Sequence, residues 1–170
     1  LDSFKGTVVG LSRRPGNIHG RTIVADAREI PDDVDLAILA IPNSAVPNSL
    51  EILAKRGVRS AIISSGGFAE LQTNEGRDLQ SQVDAIALKY GIRVLGPNTA
   101  GKAIPRLNLH ASFVPAVTQL APGAVAVVAQ SAGVAHAAAL ALEQEGLGVG
   151  LMIGVGNACD IDLPALIQTT

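Results

Sequence analysis

The chain is poor in cysteine and in aromatic rings, and neither sign of charge dominates. Its one cysteine, Cys159, excludes an internal disulfide framework and a cysteine-built zinc site. With 13 Lys+Arg against 15 Asp+Glu the net charge is −2, and there are no Trp, one Tyr and three Phe. Such a chain lacks both the cationic excess that neutralises phosphates and the rings that stack bases, which argues against nucleic-acid binding. No hydrophobic run reads as a membrane span: the most apolar stretch, Ala124 to Leu142, is broken by Gln130, Ser131 and His136. No secretory leader pattern is present, so a reducing, cytoplasmic setting with no membrane partner is the expectation. What the chain does have is 48% hydrophobic residues, enough for a core, over a length that suits one domain and part of a second. It opens on Leu1 rather than Met and closes at Thr170 inside a helical pattern. A piece of a longer protein is therefore expected.

The apolar run Val34 to Ile41 reads as a buried parallel strand ended by Pro42-Asn43-Ser44. A helix to about Arg56 follows, with Val46, Leu50 and Leu53 on one face and Gly57 as its stop. Val58 to Ile63 is the next strand, then a helix over 74–90 with Leu79, Val83, Ile86 and Tyr90 as its stripe and Gly91 closing it, then a strand at Ile92 to Leu95. This alternation is that of a parallel α/β sheet. Thr7 to Leu11 and, as a short edge, Ile23 to Ala25 are further candidate strands. Gly101 to Pro122, punctuated by Pro105 and Pro115, reads as an irregular connection. The rhythm then resumes with a strand at Ala124 to Ala129, an Ala-rich helix at Val134 to Glu145, a strand at Val149 to Ile153 and a helix near Asp162-Leu163-Pro164. The expected division is 1–118 and 119–170.

Ligands of open parallel sheets bind beyond the carboxyl ends of the strands. Here those ends carry Ser12-Arg13, Pro42-Asn43, Ser64-Ser65-Gly66-Gly67, Pro97-Asn98-Thr99, Ser131-Ala132-Gly133 and Gly156-Asn157. Any one of these is an ordinary turn; all on one edge make a crest suited to a ligand, with helix-start amides that favour anions. A G-x-G-x-x-G fingerprint is absent. Arg13 and Arg14 have two readings, a grip on a ribose phosphate or a solvated surface pair. Ser131-Ala132-Gly133 has three: a phosphate cradle, a Ser N-cap without ligand, and a nucleophile, the last opposed by Ala129-Gln130 where an elbow needs Gly.

With these pieces in order, the sequence resembles the NDP-forming acyl-CoA synthetases, the superfamily of the succinyl-CoA synthetase α subunit. The matching stretches run in order through Phe4-Lys5-Gly6-Thr7-Val8, Ala40-Ile41-Pro42, Ser65-Gly66-Gly67-Phe68-Ala69-Glu70, Tyr90 to Asn98, Ser112-Phe113-Val114-Pro115, Pro122-Gly123 through Ser131, and Gly156-Asn157 with Asp160 and Asp162. The resemblance implies a Rossmann-like CoA-binding domain with a parallel sheet, followed by the beginning of a flavodoxin-like α/β domain. It implies acyl-CoA formation from a carboxylic acid, CoA and ATP through acyl-phosphate and phosphohistidine intermediates, with ATP and Mg²⁺ held by an ATP-grasp domain or β subunit. An oligomer is expected. By the resemblance, Ser12, Arg13, Arg14, Ile41, Pro42, Asn43, Ser65, Gly66, Gly67, Asn98 and Thr99 fall at the CoA site, and Ser131, Ala132 and Gly133 at the helix start cradling the transferred phosphate.

The chain departs from the family in three ways. The first strand and its Gly-rich CoA loop are placed ahead of Leu1, Ala132 stands where Gly is usual, and the phosphohistidine is placed beyond Thr170, so the fragment alone is expected to be inactive. No metal site is expected. His19, His110 and His136 read by default as surface or packing residues, although His136 lies one turn past the phosphate turn. Cys159 reads as a small apolar residue, Asp160 and Asp162 as loop caps rather than Mg²⁺ ligands, and Glu70 and Glu75 as surface residues or caps. Two other readings stand beside the ligase: a non-catalytic CoA- or nucleotide-binding sensor module, and an NAD(P)-dependent dehydrogenase.

Overall fold

The helix over 74–90 shows how closely local sequence sets this fold. Thr73 caps it, its hydroxyl accepting from Gly76 N at 3.0 Å, and Gly91 ends it at φ 65°, a left-handed conformation that costs glycine little. In the computed structural model, which describes residues 4–168, this helix is α2 (Asn74–Tyr90). Leu79, Val83 and Ala87 are buried along it. Tyr90, expected in the apolar stripe, instead donates its hydroxyl to Glu51 Oε1 at 2.8 Å and ties α2 to α1 (Val46–Lys55).

Three parallel strands carry these helices: β4 (Leu36–Leu39), β5 (Ser60–Ile63) and β6 (Arg93–Leu95), in spatial order β4-β5-β6. Val46, Leu50 and Leu53 of α1 pack with Leu79 and Val83 of α2 on Leu39, Ile63 and Val94 of this sheet. The parallel α/β expectation holds here, with each strand a residue or more shorter than its apolar run.

Upstream lies a separate sheet of β1 (Gly10–Leu11), β2 (Gly16–Ile18) and β3 (Arg21–Val24), ordered β1-β3-β2. The strand expected near Ile23 is thus central rather than an edge, and the one expected over 7–11 pairs only through its last two residues.

The segment expected to be irregular folds into an antiparallel hairpin, β7 (Lys102–Ile104) and β8 (Leu109–Ala111), turned by a 3-10 segment at Pro105–Leu107. Its pairing is non-local. β7 lies antiparallel to β10 (Val149–Gly154), which also pairs in parallel with β9 (Pro122–Ala129), giving the order β8-β7-β10-β9. The sheet therefore spans both sides of position 118. Helix α3 (Ala132–Gln144) covers it, burying Ala135 and Ala139 against Val149 and Met152, and α4 (Leu163–Ile167) follows. A third cluster, with Ile62 and Leu95 from one sheet, Ala111 and Ile153 from the other and Val155 just past β10, joins the two layers.

Candidate functional site

The carboxyl ends of β4 and β5 lie side by side, because Leu39 is paired with Ile63. The chain leaves β4 through Pro42, which has no N–H to continue the ladder, and Asn43 opens the turn into α1. It leaves β5 through Ser64 and Ser65. Between the two exits lies a shallow, wide-open cleft of about 510 Å³ lined by Ala40, Ile41, Pro42, Asn43, Ser64, Ser65, Gly66 and Phe113. Its walls carry no ionisable side chain, so it suits a neutral, partly apolar ligand segment.

The walls are held by their own hydrogen bonds. Ser65 Oγ donates to Ile41 O, and Asn43 Nδ2 donates to Gly67 O at 2.8 Å. Gly67 adopts φ +96°, and a Cβ there would lie 2.4 Å from Asn43 Nδ2, so a side chain fits neither the backbone nor the space. Asn98 joins the group by donating its backbone N–H to Ser65 O at 2.9 Å, and its Oδ1 would stand 3.2 Å from a Cβ on Gly66.

Glu70 governs this turn. Its carboxylate accepts from Gly67 N and Phe68 N, the amides of the second glycine and of the residue after it, and from Asn157 Nδ2 at 2.6 Å. Those two amides are therefore satisfied internally by a carboxylate, and the turn is not an open anion cradle. Burial pushes the Glu70 carboxyl up, but the donors from Asn157, Gly67 and Phe68 outweigh it and hold the group below its ordinary 4.5. A carboxylate held down in the fold stabilises above its unfolded value, and that stabilisation is lost as pH falls through the folded value. Urea unfolding across a pH series is expected to show stability falling below pH 4.5 more steeply in the unsubstituted chain than in Glu70→Gln. Equal slopes would remove Glu70 from this role.

Of the residues expected at a CoA site, Ile41, Pro42, Asn43, Ser65 and Gly66 line the cleft, with Gly67 and Asn98 against them. Thr99 is only 2% exposed; its hydroxyl donates to Gly154 O and accepts from Gly101 N at 2.9 Å. It ties the two sheets and does not face the cleft. Ser12, Arg13 and Arg14 form an exposed turn after β1, where Arg14 N donates to Ser12 Oγ at 3.3 Å, and none of them lines the cleft. Phe113, 66% exposed at the cleft mouth, was not among the expected site residues. The available signal in the sequence is its place in a matching stretch, Ser112 to Pro115, as one of three Phe in the chain.

At the second expected site, Ser131 occupies the N-cap position of α3, but its side chain makes no capping bond. The first-turn amides thus receive no side-chain acceptor from it, which distinguishes this helix start from the Glu70-filled turn. Ala132 packs close to Gly154: a Cβ on Gly154 would lie 3.0 Å from Ala132 Cβ and 3.5 Å from Thr99 Oγ1. The turn thereby adjoins the Asn98-Thr99 loop.

The remaining candidates resolve as structural. His136 Nδ1 lies 2.6 Å from Ala132 O, and its ring borders an apolar recess with Val117, Leu120 and Met152. His110 sits in β8, where burial pushes its pKa down, and His19 is on an exposed turn. Cys159 packs on the first core, and burial together with Asp84 pushes its thiol up to about 12, far from a reactive thiolate. Asp160 accepts from Val94 N at 2.8 Å and Arg93 Nε at 2.9 Å, while Asp162 caps α4 through Ala165 N at 2.9 Å. Glu75 sits in the first turn of α2, where the helix dipole favours it. Among the described residues no cluster of His, Cys, Asp or Glu is arranged to hold a metal, and no helix is long and apolar enough to cross a membrane.

Residues 1–105 match a family described as CoA binding domain, and residues 122–170 match the succinyl-CoA ligase like flavodoxin domain. The α subunit of acetate–CoA ligase (ADP-forming) I of Pyrococcus furiosus is 36% identical over 169 residues, covering 97% of this chain and 36% of that protein. The acetate–CoA ligase (ADP-forming) of Methanocaldococcus jannaschii is 30% identical over 168 residues, covering 99% and 23%. Among solved structures, the apo form of dinucleotide forming acetyl-coenzyme A synthetase 1 of Ca. Korarchaeum cryptofilum superposes with a TM-score of 0.89 at 29% identity, covering 98% of this chain and 35% of that one. The chain thus spans little more than a third, or less, of these relatives' length. With the family match covering most of the sequence and the cleft at the strand tips in place, the chain belongs to the CoA binding domain family.

Proposed function

We propose that the chain is the CoA-binding part of an acid–CoA ligase that forms an acyl-CoA thioester from a carboxylic acid, CoA and ATP. The observation that carries this reading is the cleft between the β4 and β5 exits, whose walls of Ile41, Pro42, Asn43, Ser65 and Gly66 coincide with the residues expected to hold CoA. Its neutral, half-apolar lining suits the pantetheine arm, which carries amides and methylenes but no charge. Asn98, bonded to Ser65, flanks the thiol end. The amides at the start of α3 receive the phosphoryl group, because a helix N-terminus with uncapped donors favours an anion.

ATP and Mg²⁺ belong to an ATP-grasp domain or β subunit, and among the described residues no cluster offers a metal site. The resemblance to the ligase family assigns the phosphohistidine beyond Thr170, and His19, His110 and His136 are not given that role. The chain's own work is to orient the CoA thiol near the phosphoryl turn, which converts a bimolecular encounter into a positioned one. The acid is a carboxylate substrate, the protein acts in the cytoplasm, and the whole ligase is an oligomer.

Calorimetry with CoA and desulfo-CoA tests the reading. Both are expected to bind the unsubstituted protein. Gly66→Val, which drives a branched side chain at Glu70 and Asn98, and Asn98→Asp, which replaces the amide donor facing Asn157 Oδ1 with a carboxylate oxygen, are each expected to weaken binding roughly tenfold or more. Failure of the unsubstituted protein to bind either ligand ends the proposal.

A further inference from the structure

A continuous hydrogen-bonded path joins the cleft to the phosphoryl turn, and it passes through one residue on neither. Asn43 Nδ2 holds Gly67 O at 2.8 Å, and Glu70 holds Gly67 N and Phe68 N. Asn157 Nδ2 donates one hydrogen to Glu70 Oε2 at 2.6 Å and the other to Gln80 Oε1 at 2.9 Å. Its Oδ1 accepts from Asn98 Nδ2 at 3.4 Å, and its backbone N–H donates to Pro97 O at 2.8 Å. The preceding residue, Gly156, exchanges two 3.1 Å bonds with Gln130, one backbone to backbone and one from Gln130 Nε2. Gln130 leads directly into Ser131.

We propose that Asn157 is a positioning residue that holds the Gly66-Gly67 turn of the cleft in fixed register with the Gln130-Ser131 turn, so that a thiol carrier and a phosphoryl group meet at a set separation. The inference rests on the reading of the cleft as a CoA site. The chemistry requires an amide. Only Asn or Gln offers two donors and an acceptor on one short planar group; Lys and Arg donate to a carboxylate but have no acceptor for Asn98 Nδ2. An aspartate there would set two carboxylates together, while an alanine would leave Glu70 without its side-chain donor. Asn157 does not line the cleft, so any effect it has on CoA must act through Glu70 and Asn98.

The test uses the full-length ligase with whatever partner chain it carries. Asn157→Asp is expected to raise the CoA dissociation constant roughly tenfold, to raise KM for CoA and to lower kcat for thioester formation. Pairing it with Glu70→Gln reverses donor and acceptor, since the amide introduced at position 70 then donates to the carboxylate introduced at position 157. The double variant is expected to recover most of the CoA affinity. Asn157→Ala, which adds no charge, is expected to weaken CoA binding about threefold or more and keeps the question measurable if Asn157→Asp fails to fold. An unchanged CoA dissociation constant in a folded Asn157 variant overturns the proposal, as does a double variant no better than Asn157→Asp alone. Absence of CoA binding by the unsubstituted protein overturns the CoA reading and this inference with it.

Discussion

Phe68→Ala is expected to lower the free energy of unfolding by about 3–5 kcal/mol, the range for emptying a fully buried aromatic site. Phe68 has no exposed surface and packs in the cluster that includes Val46, Leu50 and Val83, between both helices and the first sheet. The surroundings have little freedom to collapse into the void. A Cβ on Gly76 would lie 2.2 Å from Phe68 O, so the start of α2 already rests on this residue's backbone. Phe68 is also the far post of the Gly66-Gly67 turn, its N–H bonded to Glu70 at 3.1 Å. CoA affinity should therefore fall along with stability. Urea unfolding reads the first effect and calorimetry the second; a loss under about 1 kcal/mol would show that the site repacks and that the anchor argument is wrong.

Gly156→Ala is expected to cost at least about 3 kcal/mol, unusual for the addition of one methyl group. Gly156 sits at φ +72°, and a Cβ there would meet Pro97 O at 2.3 Å and Asn98 O at 2.8 Å, both backbone atoms. That loop has no room to retreat, because Asn157 N and Cys159 N donate to Pro97 O and Gly96 O at 2.8 and 3.1 Å. Gly91 supplies the control. Its φ is +65°, nearly the same, yet nothing lies within 4 Å of its would-be Cβ. Gly91→Ala carries the backbone strain alone, about 1 kcal/mol. Thermal or urea unfolding of the two variants separates the contact from the strain, and similar losses would refute the close approach at Gly156.

What was legible in the sequence was local. The bounds of α2 follow from a capping Thr73, a helical period and Gly91, all within one stretch of chain. The three parallel strands follow from apolar runs ended by turn residues. The strand-tip loops announce themselves through small residues, and five of the expected CoA contacts line the cleft. What escaped was non-local. β7 and β8 are three residues each, too short for alternation to show, and the partner that makes β7 a strand lies at Met152 and Ile153. Glu70 reads as a surface residue or cap and Asn157 as part of a strand-end turn; only folding brings together positions 87 apart. Thr99 matched a ligand position but points its hydroxyl into the structure, a direction that the sequence does not encode. Arg13 and Arg14, with two readings open, stand exposed on the upstream sheet's turn.

The central place of β10 has a consequence for how this polypeptide is divided. It is flanked by β9 on one side and by β7 on the other, and β7 is supplied by residues ahead of the linker. Severing the chain between Gln119 and Pro122 would leave β7 and β10 each with a bare row of amides and carbonyls, the kind of edge along which chains adhere to copies of themselves. The stretch between the two matched families is thus bridged by one shared sheet, with β7 from one side of it paired to β10 from the other.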